Sequence, residues 1–188
     1  GLELKRSVAV FTLEMSAEQL LQRMLAMETD IDSQKLRSAR LSDSEQELAQ
    51  HAMTILSDAR IYIDDTPAIT PLQMRTKCTR LQMEEGLDLV IVDYLQLMAG
   101  DLRTENRVQE VSYISRYLKV MAKELNVPVI AAAQLNRGVE QRQDKTPVLS
   151  DLRESGSLEQ DADIVMFINR PDAGDEKSEN RNLAKLAV

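Results

Sequence analysis

The 188-residue chain carries 23 Lys and Arg against 31 Asp and Glu, a net charge of −8, which excludes a protein that coats nucleic acid by bulk positive charge but leaves a small local contact open. Its 43% hydrophobic and 29% charged residues suit a soluble globular domain, and no apolar run reaches the roughly 18 residues of a membrane span. Residues 1–6 lead into a strand-like run rather than a signal peptide, and Cys78 and His51 each stand alone, so an intramolecular disulfide and a His-based metal site are excluded and a reducing, cytoplasmic setting is expected.

Val8-Ala9-Val10-Phe11-Thr12-Leu13 reads as a first buried strand, ending at Glu14-Met15-Ser16. Ser16, with Gln19 three residues later, has the spacing of a capping box and opens a helix whose apolar face is Leu20, Leu21, Met24, Leu25 and Met27. Ser42 and Glu45 repeat that spacing before a helix through Leu48, Ala52, Ile55 and Leu56. Residues 60–64 read as a short strand. Thr70-Pro71-Leu72-Gln73 then combines an N-cap, a proline at the first helical position and a box glutamine, and Gly86 marks the stop of that helix.

The chain next enters Leu89-Val90-Ile91-Val92-Asp93, an apolar run suited to a parallel strand buried on both faces. In open α/β sheets ligands sit beyond the carboxyl ends of the strands, where Asp93 emerges; the same position also suits a turn or helix cap. The longest helix follows, from about residue 105 to 125, with Val108, Val111, Ile114, Leu118, Met121 and Leu125 as its core stripe. Residues 127–133 read as a strand ending on Gln134, residues 163–168 as another, and residues 183–188 as a last one. Alternating strands and helices predict an α/β fold with a mostly parallel sheet covered by helices, as one domain over residues 1–188.

Three strands thus end on Glu14, Asp93 and Gln134. Nucleotide hydrolysis uses those types: a carboxylate to polarise water, another to anchor Mg2+, and an amide to sense the terminal phosphate. The segments 136–145 and 150–157 mix basic and small residues and suit phosphate contact through exposed backbone N–H groups; they also suit a flexible surface loop.

Phe11-Thr12-Leu13-Glu14-Met15-Ser16, Val92-Asp93-Tyr94-Leu95-Gln96-Leu97-Met98, Gln134-Leu135-Asn136-Arg137 with Glu140-Gln141-Arg142, and Ser150-Asp151-Leu152-Arg153-Glu154-Ser155-Gly156-Ser157 onward to Asp163 resemble successive motifs of the bacterial replicative helicases, the DnaB family. Thr12 and Ala133 stand where serine is common in that family. The resemblance implies a RecA-like ATPase domain acting as a homo-hexameric ring on single-stranded DNA, with ATP and Mg2+ as cofactors and with primase and a helicase loader as partners. It implies that Glu14 activates the attacking water, Asp93 holds Mg2+ through water, and Gln134 links nucleotide state to the DNA loop. It further implies that Arg23 lies beside the nucleotide and that Arg153, Glu154 and Gly156 contact DNA phosphates.

A phosphate loop, G-x-x-x-x-G-K-[ST], follows none of the six glycines. The family places that loop upstream of the strand at Val8, on a strand expected to lie beside the Asp93 strand, and places an arginine finger after the last strand. Such fingers contribute roughly 10³ to 10⁵ in rate. The 188 residues alone are therefore expected to be inactive in ATP hydrolysis, with exposed apolar edges that weaken the fold. Two other functions fit the same residues. One is a related recombination or repair ATPase, which a strand-separation assay of the complete protein would distinguish. The other is a non-catalytic scaffold that contacts DNA or a partner.

Overall fold

The computed structural model describes residues 4–101, 106–142, 144, 146–155, 158–172, 174 and 178–188, apart from the side chains of residues 137, 140 and 153–155. Four strands, β1 (Val8–Thr12), β2 (Ile61–Asp64), β3 (Leu89–Asp93) and β4 (Val129–Ala131), form one sheet in the order β2-β1-β3-β4. Every pairing is parallel. Parallel neighbours need long crossovers, and helices supply them. Helices α1 (Ala17–Thr29), α2 (Ser33–Ser38) and α3 (Asp43–Ser57) lead from β1 to β2; α4 (Pro71–Glu84) leads to β3, and α5 (Arg107–Leu125) to β4.

The local signals act as read. Ser16, Ser42 and Thr70 each close a reciprocal capping box, with Pro71 opening α4. Gly86 takes φ 79° just past the end of α4, a left-handed conformation that favours glycine. Helix α2 is an addition to the sequence reading. Its six residues hold one apolar side chain, Leu36, and so no apolar period, and the Asp32 carboxylate starts it by accepting from the Gln34 and Lys35 N–H groups.

One face of the sheet carries the core. Ala9, Phe11, Val90 and Val92 pack with Met74 and Cys78 of α4 and with Ile114, Leu118, Met121 and Leu125 of α5. Burial alternates along β3, with Val90 and Val92 buried while Leu89, Ile91 and Asp93 are half-buried. The unbroken apolar run had predicted equal burial on both faces; the core helices cover one face more completely. Val108 also departs from the predicted stripe of α5, lying 42% exposed in its first turn. The expected apolar face of α1 is shallower still. Met27 is 81% exposed, and α1 packs on α2 and α3 with only Thr29 buried.

Two expectations of strand placement change. Strand β3 lies between β1 and β4, so no place beside the Asp93 strand is open; the unpaired edges of the sheet are those of β2 and β4. The last two strands, β5 (Phe167–Asn169) and β6 (Lys185–Ala187), pair antiparallel in a separate two-stranded sheet. Strand β5 starts four residues later than read from the sequence. The segment before it is drawn to α5 instead: Ser115 Oγ donates to Asp161 at 2.7 Å, and Lys119 pairs with Asp163. Asp161 ends a short helix, α6 (Leu158–Asp161). Ile130, Ile164, Met166, Ile168, Leu186 and Val188 are exposed around β4 and this hairpin, whereas bare apolar edges were expected beside the Asp93 strand, which β1 and β4 flank instead.

Candidate active site

The ends of β1, β3 and β4 share one rim because the three strands run in register. Thr12 faces Asp93 across the β1–β3 ladder, and one residue later the Leu13 N–H donates to the Asp93 carbonyl at 2.8 Å. Glu14 follows directly and is exposed to solvent. The turn carrying it is fixed from inside, where the buried Thr12 hydroxyl donates to the Met15 carbonyl at 2.9 Å. Ser16 then caps α1, and the Ala17 N–H donates to the Asp65 carboxylate at 2.9 Å. Arg23 lies on α1 with its side chain exposed.

Asp65 was missed in the sequence, although it obeys the rule that singled out Glu14 and Asp93. Strand β2 ends on an acid, Asp64, opposite Phe11 of β1. Burial alone would raise the Asp64 carboxyl, but the Lys77 ammonium and the Thr66 hydroxyl and N–H outweigh it and hold the group below the ordinary carboxylate range. Burial pushes the neighbouring Cys78 thiol up to about 12, with the Asp64 charge adding to it, so this cysteine is a packing residue rather than a nucleophile.

Strand β4 brings Gln134 to the same rim. The Ala132 N–H donates to Val92 at 2.8 Å, and the Leu95 N–H returns a bond to Ala132 at 3.0 Å. Gln134, two residues on, is exposed and pairs with the Gln96 side chain. Glu14, Asp93 and Gln134 are therefore gathered at the carboxyl edge of adjacent strands, in the position where open α/β sheets bind ligands.

The polar segment beyond Gln134 is folded rather than extended. Tight 3-10 turns span Arg137–Gln141 and Leu149–Ser155. The Asn136 N–H donates to the Asp151 carbonyl at 3.1 Å, and the nearly buried Asp151 carboxylate accepts from Arg142 at 2.7 Å and from the Val148 N–H at 2.8 Å. Some of the expected free N–H groups are thus occupied, including that of Gly138 by the Asn136 side chain at 2.8 Å. Arg153 and Glu154 lie in the second turn, while Gly156 lies outside the described residues.

A shallow cavity of about 450 Å³ runs along α4 between Arg75 and Glu84 and contains no residue of this rim. Among the described residues no three His, Cys, Asp or Glu side chains cluster as a metal cage. The rim carboxylates Glu14 and Asp93 are of the kind that suits Mg2+, which is commonly held by one or two carboxylates together with phosphate oxygens and water. No helix is long and apolar enough to cross a membrane among those residues.

Comparison with known proteins gives consistent matches. The family described as "DnaB-like helicase C terminal domain" matches residues 2–188. The chain is 54% identical over 183 residues to the replicative DNA helicase DnaC of Bacillus subtilis and to the replicative DNA helicase DnaB of Geobacillus stearothermophilus, covering 97% of this chain and 40% of each relative. The chain thus spans well under half the length of these two relatives. It also superposes on a DnaB-like replicative helicase, solved with attention to its interactions with primase, at a TM-score of 0.92 and 38% identity, covering 98% of this chain and 45% of the other. The expected RecA-like α/β architecture is the one observed.

Proposed function

The chain belongs to the DnaB-like helicase C-terminal domain family, and from that premise we propose that it forms the ATP-hydrolysing motor part of a replicative DNA helicase. In this reading the parent protein is a hexameric ring on single-stranded DNA that separates duplex at the replication fork, in contact with primase and a loader. The observation that carries the reading is the bond from the Leu13 N–H to the Asp93 carbonyl, which joins the strand ends bearing two acids at a ligand-binding edge.

Glu14, exposed on its short turn, accepts a proton from the attacking water. Asp93 would hold Mg2+ through water, and the ion would supply charge neutralisation of the phosphates. Gln134 responds to the terminal phosphate from the adjoining strand end, and Arg23 on α1 lies beside the nucleotide. Arg153 and Glu154, in the turn that is tied to Asn136, contact DNA phosphates together with Gly156. Phosphate contacts carry no sequence information, as a motor moving along any sequence requires.

The 188 residues contain no G-x-x-x-x-G-K sequence, so alone they neither bind ATP tightly nor hydrolyse it. Tight ATP binding by the isolated chain would contradict this part of the proposal. The main test is the ATPase rate of the complete parent protein with and without single-stranded DNA, beside its Glu14→Gln variant. DNA-stimulated turnover is expected, falling by on the order of 10²- to 10⁴-fold in the variant. A folded parent without turnover, or a variant that keeps it, overturns the proposal.

A further inference from the structure

Gln96 belongs to none of the roles above, yet its side chain makes a two-point contact at the rim. Its Nε2 donates to the Gln134 carbonyl at 3.1 Å, and its Oε1 accepts from the Gln134 N–H at 3.2 Å. A glutamine amide offers one donor edge and one acceptor edge, the same pair that a peptide group presents to its neighbour in a sheet. Backbone pairing between β3 and β4 stops at Ala132, and the Gln96 amide supplies the next rung beyond it.

Gln96 is itself firmly held. It sits in the 3-10 turn Leu95–Leu97 that follows Asp93, beside Leu95, which is 1% exposed. The Leu97 N–H closes that turn on Tyr94 at 3.0 Å, and the Arg107 guanidinium donates to the Gln96 carbonyl. Arg107 is in turn paired with Glu110, whose other oxygen accepts from the Gly100 N–H at 2.9 Å. Gln134 lies two residues past Ala132, where the β3–β4 pairing stops, and both its N–H and its carbonyl are paired with Gln96. Two residues beyond Gln134, the Asn136 N–H is bonded to Asp151 in the second turn.

We infer that Gln96 is a positioning residue, whose amide sets the resting place of Gln134 relative to Asp93, so that movement of the Asp151 turn, carried to Gln134 through Asn136, works against a fixed point at the rim. The inference rests on the helicase reading for its consequence, since coupling means that DNA at the turn alters hydrolysis at the rim. The contact itself does not depend on that reading.

The test uses the complete parent protein with Gln96→Leu, close in size but without polar atoms, and Gln96→Glu, which keeps the acceptor and loses the donor. The readouts are the ratio of ATPase rates with and without single-stranded DNA, and hydrogen exchange at single amides. In Gln96→Leu the ratio should fall on the order of tenfold, as expected for two lost hydrogen bonds. The Gln134 amide should exchange faster while those of Leu95 and Ala132 stay protected, and Gln96→Glu should lie between. An unchanged ratio overturns the inference, and so does faster exchange spread equally over Leu95 and Ala132, which is general loosening. If the unmodified protein shows no DNA stimulation, the helicase reading fails on that result alone, and exchange at Gln134 still decides whether Gln96 holds it.

Discussion

The rim at Glu14 and Asp93 and the segment from Asn136 to Ser155 lie in one chain but are held by different means. Behind the rim, main-chain ladders run through β1, β3 and β4, and the layer beneath is closed by Met74, Ile114 and Met121, none of which is solvent-exposed. Among its described residues the 136–155 segment has no ladder. It is anchored by the Asn136–Asp151 bond and the Asp151–Arg142 ion pair, with Val139 and Leu152 buried. Local opening costs little where few bonds and little apolar area resist it. In the proposed reading, the two acids sit on the ladder-backed rim, and the segment proposed to meet DNA sits where fewer bonds hold it.

Substitutions should separate the two regions, beginning with the core. Met74→Ala removes a fully buried side chain and should destabilise the whole domain by about 2–5 kcal/mol, seen as a lower midpoint of a single cooperative unfolding transition. A loss confined to one probe or one segment would break the claim that the core and rim unfold together.

A smaller effect is expected at Asp151. Asp151→Ala leaves the Val148 N–H and the Arg142 guanidinium without their carboxylate, and the Arg142 Nε already lacks a partner. Local stability should drop by about 1–3 kcal/mol. Limited proteolysis should then cut within residues 136–155 while the global midpoint stays close to that of the parent. Equal loss of both would show that this segment belongs to the core after all.

The least effect lies outside both regions, where Lys35 of α2 meets Glu45 of α3 at 2.7 Å. The Lys35 ammonium and the Ser42 N–H bring the Glu45 carboxyl from its ordinary 4.5 down to about 2. A depressed carboxyl stabilises the fold above its unfolded-state value, and that contribution is lost as the pH falls from about 4.5 to 2. Because the pair is exposed, the effect on the unfolding midpoint should be slight and screened by salt. Lys35→Met should raise the Glu45 midpoint in an NMR titration, and an unmoved midpoint would assign the shift to the Ser42 contacts instead.

Much of this was legible in the amino acids because its causes are local. Apolar runs announce β1 and β3, while Ser16-x-x-Gln19, Ser42-x-x-Glu45 and Thr70-Pro71 announce their helices through bonds spanning three residues. The placement of Glu14, Asp93 and Gln134 at strand ends follows from the same runs. The delayed start of β5 did not follow, since Lys119 and Ser115 reach Asp163 and Asp161 from a helix more than 40 residues earlier.

The sequence by itself determined most of the strands and the capped helices α1, α3 and α4, and which family the motifs resemble, but not α2, α6 or the start of β5. Only the tertiary structure decided the order β2-β1-β3-β4, the separate β5–β6 hairpin, the capping of α1 by Asp65 and the pairing of Gln96 with Gln134. The physical reason is range. Propensity, capping and periodicity act within a few residues, whereas Asp65 reaches Ala17 across 48 positions and Gln96 reaches Gln134 across 38. Those contacts form only after the parallel sheet has brought the strand ends together.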